Sequence, residues 1–123
     1  LKFKCVNRQE LVIGGFTDPH GERVGFGALL VGYYEDGTLK YAGKVGTGYN
    51  DEQLKEMRNK MDGLERESNP FDENIDKEGV HFISPKLVGE FGFTEWTDDG
   101  KLRHPRFIGL RDDKAPEEVV KEQ

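Results

Sequence analysis

The sequence predicts an all-β fold, a five-stranded β-barrel with one helix. Three observations lead there. Sixteen glycines, eight phenylalanines, four tyrosines and one tryptophan in 123 residues favour strands and tight turns over a helical bundle. Apolar runs of strand length recur between turn signals. One stretch alone has convincing helical spacing. At this length the chain is one domain by the usual size prior.

The elements follow in order. Residues 2–17 read as a long strand, broken or bent at Gly14-Gly15. Asp18-Pro19-His20-Gly21 is a turn. Residues 26–34 are apolar on both faces, as a central strand would be, and Asp36-Gly37 is a hairpin signal returning the chain into a strand over 38–45. Asn50 can cap a helix, with Gln53 completing a capping box, and Leu54, Met57, Met61 and Leu64 fall on one face. Residues 65–79 are acidic, carry Asn69-Pro70, and read as a loop. Strands are expected over 86–96 and 102–110, joined by the turn Thr97-Asp98-Asp99-Gly100. The acidic tail can form a short helix after Pro116. Three strands, a helix and two strands is the order of a five-stranded Greek-key OB-fold, with the helix between strands 3 and 4. An SH3-like barrel is the main competitor.

The net charge of −6 argues against a nucleic-acid binder until it is located. Residues 50–79 hold ten acids against five bases, and residues 112–123 five against two. The remainder carries eleven bases against nine acids, so the body is mildly basic and can present a basic face. One cysteine, Cys5, excludes an internal disulfide and any multi-cysteine zinc site; a buried small hydrophobe is its ordinary role. No apolar run approaches the roughly 20 residues that span a membrane, and no leader-like N-terminus is present. A soluble, intracellular protein is expected.

The richest chemistry lies in L-R-H-P-R-F-I-G-L-R-D-D-K, residues 102–114. A basic cluster of Arg103, His104 and Arg106 precedes a short apolar strand, which ends in Arg111, Asp112, Asp113 and Lys114. Arg111 offers a planar fork of donors and Lys114 a mobile point charge, a pair suited to gripping phosphates, with Asp113 able to orient either. Taken alone, the stretch also fits an edge strand with a solvated charged tail. At the other end Lys2 and Lys4 alternate with Phe3 and Cys5, so a strand sends both lysines to one face.

Other motifs carry less. Lys60-Met61-Asp62-Gly63 matches the K-x-D-G of covalent nucleotidyltransferases. A nucleophilic lysine needs burial or cationic neighbours to lower its pKa. Lys60 sits among acids on the outer face of a helix, so the match is read as chance. His20, His81 and His104 have no metal-like spacing and read as turn or surface residues. Gly43–Gly48 lacks phosphate-loop spacing and reads as a strand-ending turn.

Together these stretches resemble the C-terminal OB domain of ATP-dependent DNA ligases, and most of all the bacterial end-joining ligase D family. The resembling segments are L-K-F-K-C-V-N-R-Q-E-L-V-I-G-G-F-T at the start, then F-G-A-L-L-V-G-Y-Y-E-D-G-T-L-K-Y-A-G-K-V-G-T-G-Y, P-K-L-V-G-E-F-G-F-T-E-W-T-D-D-G and L-R-H-P-R-F-I-G-L-R-D-D-K, in order over about residues 1–120. The resemblance implies an OB domain over 1–114, with 1–5 as its motif V hinge edge and 65–80 as an acidic loop, and an acidic tail over 115–123. Lys2 and Lys4 match the motif V lysines that approach the α-phosphate of ATP or AMP. Arg111, Asp113 and Lys114 match the R-x-D-K of motif VI, which closes over the β,γ-phosphates and orients departing pyrophosphate. Cations aimed at leaving-group charge stabilise such a transition state electrostatically.

The resemblance further implies ATP and Mg²⁺ as cofactors of the full-length enzyme, with none bound by the isolated domain. The implied partners are nicked or broken double-stranded DNA, met in part by Arg103 and Arg106, and an upstream nucleotidyltransferase domain of the same polypeptide. A monomer without membrane or resident metal is expected, cytoplasmic and associated with the nucleoid. The chain starts at motif V, so a fragment that neither adenylates itself nor seals nicks is expected. The alternative is a stand-alone OB-fold that stacks single-stranded nucleic acid on exposed aromatics. An equivalent domain of a capping enzyme or RNA ligase comes third; E-W-T-D-D-G and R-H-P-R-F favour the DNA ligase.

Overall fold

β1 (Asn7–Thr17) is the strand against which the sheet is assembled. In the computed structural model, which describes residues 7–19, 25–75, 78–111, 115, 118 and 119, β1 pairs antiparallel with β2 (Leu29–Glu35) on one side and β5 (Val80–Phe93) on the other. Leu11 to Phe16 are buried without alternation, so β1 is covered on both faces. β2 turns at Asp36-Gly37, both with positive φ (54° and 80°), into β3 (Thr38–Val45), the geometry of a type I′ hairpin turn. The outer edge of β5 is shared. Its first half pairs with β4 (Glu65–Arg66) and its second half with β8 (Arg106–Arg111).

The expected bend in β1 is there. Register shifts between Ile13 and Gly15 against both neighbours. Both glycines are needed for space: a Cβ on Gly15 would lie 2.8 Å from the His81 carbonyl, and one on Gly14 would enter the Phe71 ring. The chain after β3 then reaches β8. The Phe107 N–H donates to Thr47 O (2.9 Å), and Tyr49 stacks on Phe107 with centroids 4.9 Å apart. The sheet curls until its two ends meet at this bond, without a closing ladder among the described residues.

The helix α1 (Asp51–Asp62) lies between β3 and β4 and buries Leu54, Met57 and Met61 in the core. Its start is the expected capping box: Asn50 Oδ1 accepts from the Gln53 N–H (2.7 Å) and Gln53 Oε1 from the Asn50 N–H (3.1 Å). This arrangement is the OB-fold; the SH3-like alternative does not account for a helix at this point.

Three boundaries differ from the sequence reading. The strand expected over 86–96 begins at Val80 and ends at Phe93. Ser84-Pro85 interrupts its first half, and register is lost there between the Phe82 and Leu87 pairings. The strand expected over 102–110 is two. His104 takes a positive φ of 53°, and Pro105 has no N–H for a ladder, so the chain changes partners. Leu102–Arg103 (β7) pairs with Glu95–Trp96 (β6), and Arg106–Arg111 pairs with β5.

The acidic stretch 65–79 is a packed strap over much of its length. Phe71 is 6% exposed and fills the gap left by Gly14 and Gly32. Around it the Asp72 N–H donates to Leu39 O (3.0 Å), Lys40 Nζ meets Asp72 (2.8 Å) and Lys101 Nζ meets Glu73 (3.0 Å). Burying one phenylalanine contributes about 1.5–3 kcal/mol, which explains how a run of acids is held on the sheet. The tail is anchored too: Val119 is 1% exposed, and its carbonyl accepts from the Tyr34 N–H (2.8 Å). The first residues of the expected first strand, Cys5 among them, lie outside the described residues.

Candidate functional site

Arg111 is the last residue of β8. β5 brings acids to it. Glu90 on β5 is the direct register partner of Glu10 on β1, and Val88 is the partner of Arg111. Two like charges directly opposite on neighbouring strands destabilise a sheet unless a cation neutralises them. Arg111 does so: its Nη1 lies 2.9 Å from Glu10 Oε2 and 3.4 Å from Glu90 Oε1. Arg8 approaches Glu90 along β1, at 3.6 Å. The β8 residue opposite Glu90 is Gly109, where a Cβ would meet nothing within 4 Å. Arg111 is 36% exposed, against 17% for Glu10 and 22% for Glu90. The carboxylates therefore form a recessed seat, and the guanidinium rests on it within reach of solvent. Arg8, Gln9, Glu10 and Glu90 line a shallow cleft of about 250 Å³ there.

Asp113 and Lys114, expected to act with Arg111, lie outside the described residues, as do Lys2 and Lys4. Arg103 and Arg106 are described and exposed. Arg103 pairs with Glu95 (2.7 Å) on the small β6–β7 hairpin, and Arg106 opens β8. Arg106 and Arg111 are thus separated by the length of a strand, roughly 17 Å at about 3.3 Å per residue. The structure does not bring the two groups together. They stand at opposite ends of β8.

Other candidates resolve plainly. Met61 is fully buried and Lys60 is exposed on the last turn of α1, so Lys60-Met61-Asp62-Gly63 is helix surface and helix core. His81 bridges two acids: Nε2 lies 2.7 Å from Asp18 and Nδ1 2.9 Å from Glu65, and its ring stacks on Phe16. Burial by itself would lower the His81 pKa; the two hydrogen bonds and the acids' charges outweigh it, and the net shift is upward. Gly43–Gly48 does end a strand. A cavity of about 610 Å³ between Thr17, Ala28, Lys44 and Val80 includes Lys44 of the Gly43–Gly48 turn but none of Arg103, Arg106 and Arg111. No helix among the described residues is long and apolar enough to cross a membrane.

Sequence reasoning missed Glu10, Glu90 and Arg8. Their signal was an acid inside each of two strand-like runs, Q-E-L and G-E-F. Only the register shows that the two acids face each other.

The family model for the ATP-dependent DNA ligase C-terminal region matches residues 22–114. The chain is 41% identical to the multifunctional non-homologous end joining protein LigD of Mycolicibacterium smegmatis, covering 98% of this chain and 16% of that protein. It is also 41% identical to DNA ligase 2 of Methanosarcina acetivorans, over 89% of this chain and 20% of that one. Among solved structures, the ligase domain of M. tuberculosis LigD superposes with a TM-score of 0.89 at 39% identity, covering 95% of this chain and 39% of that one. A mycobacterial DNA ligase D complexed with ATP and MES superposes with a TM-score of 0.84, also at 39% identity. The chain therefore spans a small part of the relatives it matches.

Proposed function

The chain belongs to the family of ATP-dependent DNA ligase C-terminal regions, and from that premise we propose that it is the OB-fold arm of an end-joining ligase, serving both adenylation and sealing. The observation that carries the reading is Arg111: a half-exposed guanidinium fixed at the end of a packed strand, immediately before Asp112-Asp113-Lys114. Bound ATP supplies the adenylyl group and a pyrophosphate leaving group, with Mg²⁺ spreading its charge. Arg111 and Lys114 grip the β,γ-phosphates, and Asp113 orients them. Lys2 and Lys4 reach toward the α-phosphate from the hinge edge. Each cation is aimed where negative charge grows as pyrophosphate departs, and this lowers the barrier.

The lysine that receives AMP belongs to an upstream domain of the same polypeptide. Lys60 cannot take that role from the exposed face of α1, so this chain alone neither adenylates itself nor seals nicks. After adenylation the arm turns and holds nicked or broken duplex, with Arg103 and Arg106 meeting phosphates. Contact with few phosphates makes this binding weak and salt-sensitive in isolation. The working protein is monomeric, cytoplasmic and associated with the nucleoid.

A stand-alone module for single strands would need free aromatics on the sheet. Here Tyr33 packs edge-on against Trp96, Tyr41 against Phe71 and Phe91 against Phe107. The β2–β3 surface that such modules use lies partly under the Phe71 strap.

The test is incubation with labelled ATP and Mg²⁺, read by intact mass, of this chain alone and mixed with the upstream domain. No label on this chain, with faster adenylation of the upstream domain on mixing, is expected. AMP on Lys60 would overturn the reading.

A further inference from the structure

We propose that Glu10 and Glu90 form a dock for Arg111 that competes with the phosphates of ATP, so that the two acids are positioning residues setting how readily the arginine is handed to the nucleotide. The inference rests on the reading of Arg111 as a phosphate ligand and adds an opposing contact within the same domain.

The geometry argues for a built seat. Glu10 and Glu90 are exact cross-strand partners in a sheet, an arrangement that costs energy without a cation. Arg111 Nη1 reaches both, at 2.9 and 3.4 Å. Gly109 leaves the strand position opposite Glu90 without a side chain, and the space where one would stand is open. Arg8, 3.6 Å from Glu90, stays on β1 as a second cation, and the pair of acids is not stripped of positive charge when Arg111 leaves. A phosphate and a carboxylate use the same donors of a guanidinium. Both acids take Nη1, so a triphosphate gripped through the Nη1–Nη2 edge must displace them, and in that grip the apparent affinity for ATP falls by the fraction of time spent docked. The dock also gives the arginine somewhere to return when pyrophosphate leaves and the arm turns away.

The direction of the effect separates this role from simple support. If the acids only held Arg111 ready for phosphate, neutralising them would raise KM for ATP or lower kcat. If they compete with phosphate, neutralising them lowers KM. The pairs are partly exposed, so the expected change is about two- to five-fold.

The experiment uses the full ligase polypeptide carrying this domain, with adenylation measured over a range of ATP concentrations. The proteins are wild type, Glu10→Gln/Glu90→Gln, Arg111→Ala and the combination of all three. The expected result is a lower KM for ATP in the double variant with kcat little changed, and loss of that gain in the Arg111→Ala background. Slow adenylation by Arg111→Ala together with an unchanged or raised KM in the double variant would overturn the dock and leave the phosphate reading standing. Normal adenylation by Arg111→Ala would remove both. Should the double variant fail to fold, Glu10→Gln alone is measured, and an unchanged KM there also overturns the proposal.

Discussion

Two acidic regions of this molecule hold cations in opposite ways. In the strap, Asp72 and Glu73 pair with Lys40 and Lys101, but the segment is fixed by Phe71 in the gap between Gly14 and Gly32 and by the Asp72 N–H on Leu39 O. Between β1 and β5, Glu10 and Glu90 hold Arg111 at a strand end through ion pairs of 2.9 and 3.4 Å. The same ion-pair chemistry is an accessory in the first region and the principal described contact in the second. Backing by a buried ring makes a static fastening. A partly exposed ion pair at a strand end is, on our proposal, one that a competing anion can displace.

The largest expected effect comes from breaking the static side. Phe71→Ala should cost about 3 kcal/mol or more of unfolding free energy by urea titration, because it empties a packed slot. A loss under about 1 kcal/mol would show that the strap is held by its charges instead. Gly32→Ala attacks the same slot from below. Its Cβ would fall against the Lys40 backbone and 2.8 Å from the Phe71 ring, so a loss of about 1–3 kcal/mol is expected. Neither variant should change the ATP dependence of adenylation in the protein that remains folded. Lys40→Ala, which removes an exposed partner of Asp72, should shift the urea midpoint barely at all.

The smallest effect is a pH dependence. His81 has a folded pKa above the usual 6.5, so its bridge to Asp18 and Glu65 stabilises fully below about pH 6.5 and is lost as pH rises through the raised value. Melting temperatures of the wild type should fall slightly relative to His81→Gln on going from pH 6 to pH 8.5. Parallel curves would show that the bridge contributes nothing.

What could be read from sequence was local. Asn50 and Gln53 cap a helix through bonds spanning three residues, Asp36-Gly37 makes its own turn, and Gly14-Gly15 marks a bend because nothing larger fits. The OB-fold followed from the order of those elements. The misses all depend on distant partners. Val80 to Pro85 is strand because β1 lies beside it, Leu102 to Arg111 is two strands because its two halves find different partners, and Phe71 is buried because two glycines from other strands leave it room. Arg111 was legible as a cation at the end of a strand. Its seat was not, since Glu10 and Glu90 are eighty residues apart in sequence and meet only through register.

The most direct test of the account is a comparison of two steps in one enzyme. Arg111→Ala is made in the full ligase, and single-turnover adenylation by ATP is measured beside sealing of a nick already carrying AMP. The account expects adenylation to slow by about 100-fold, the scale for losing one preorganised charge donor, while sealing changes little. Equal losses in both steps, or a loss in sealing alone, would contradict it.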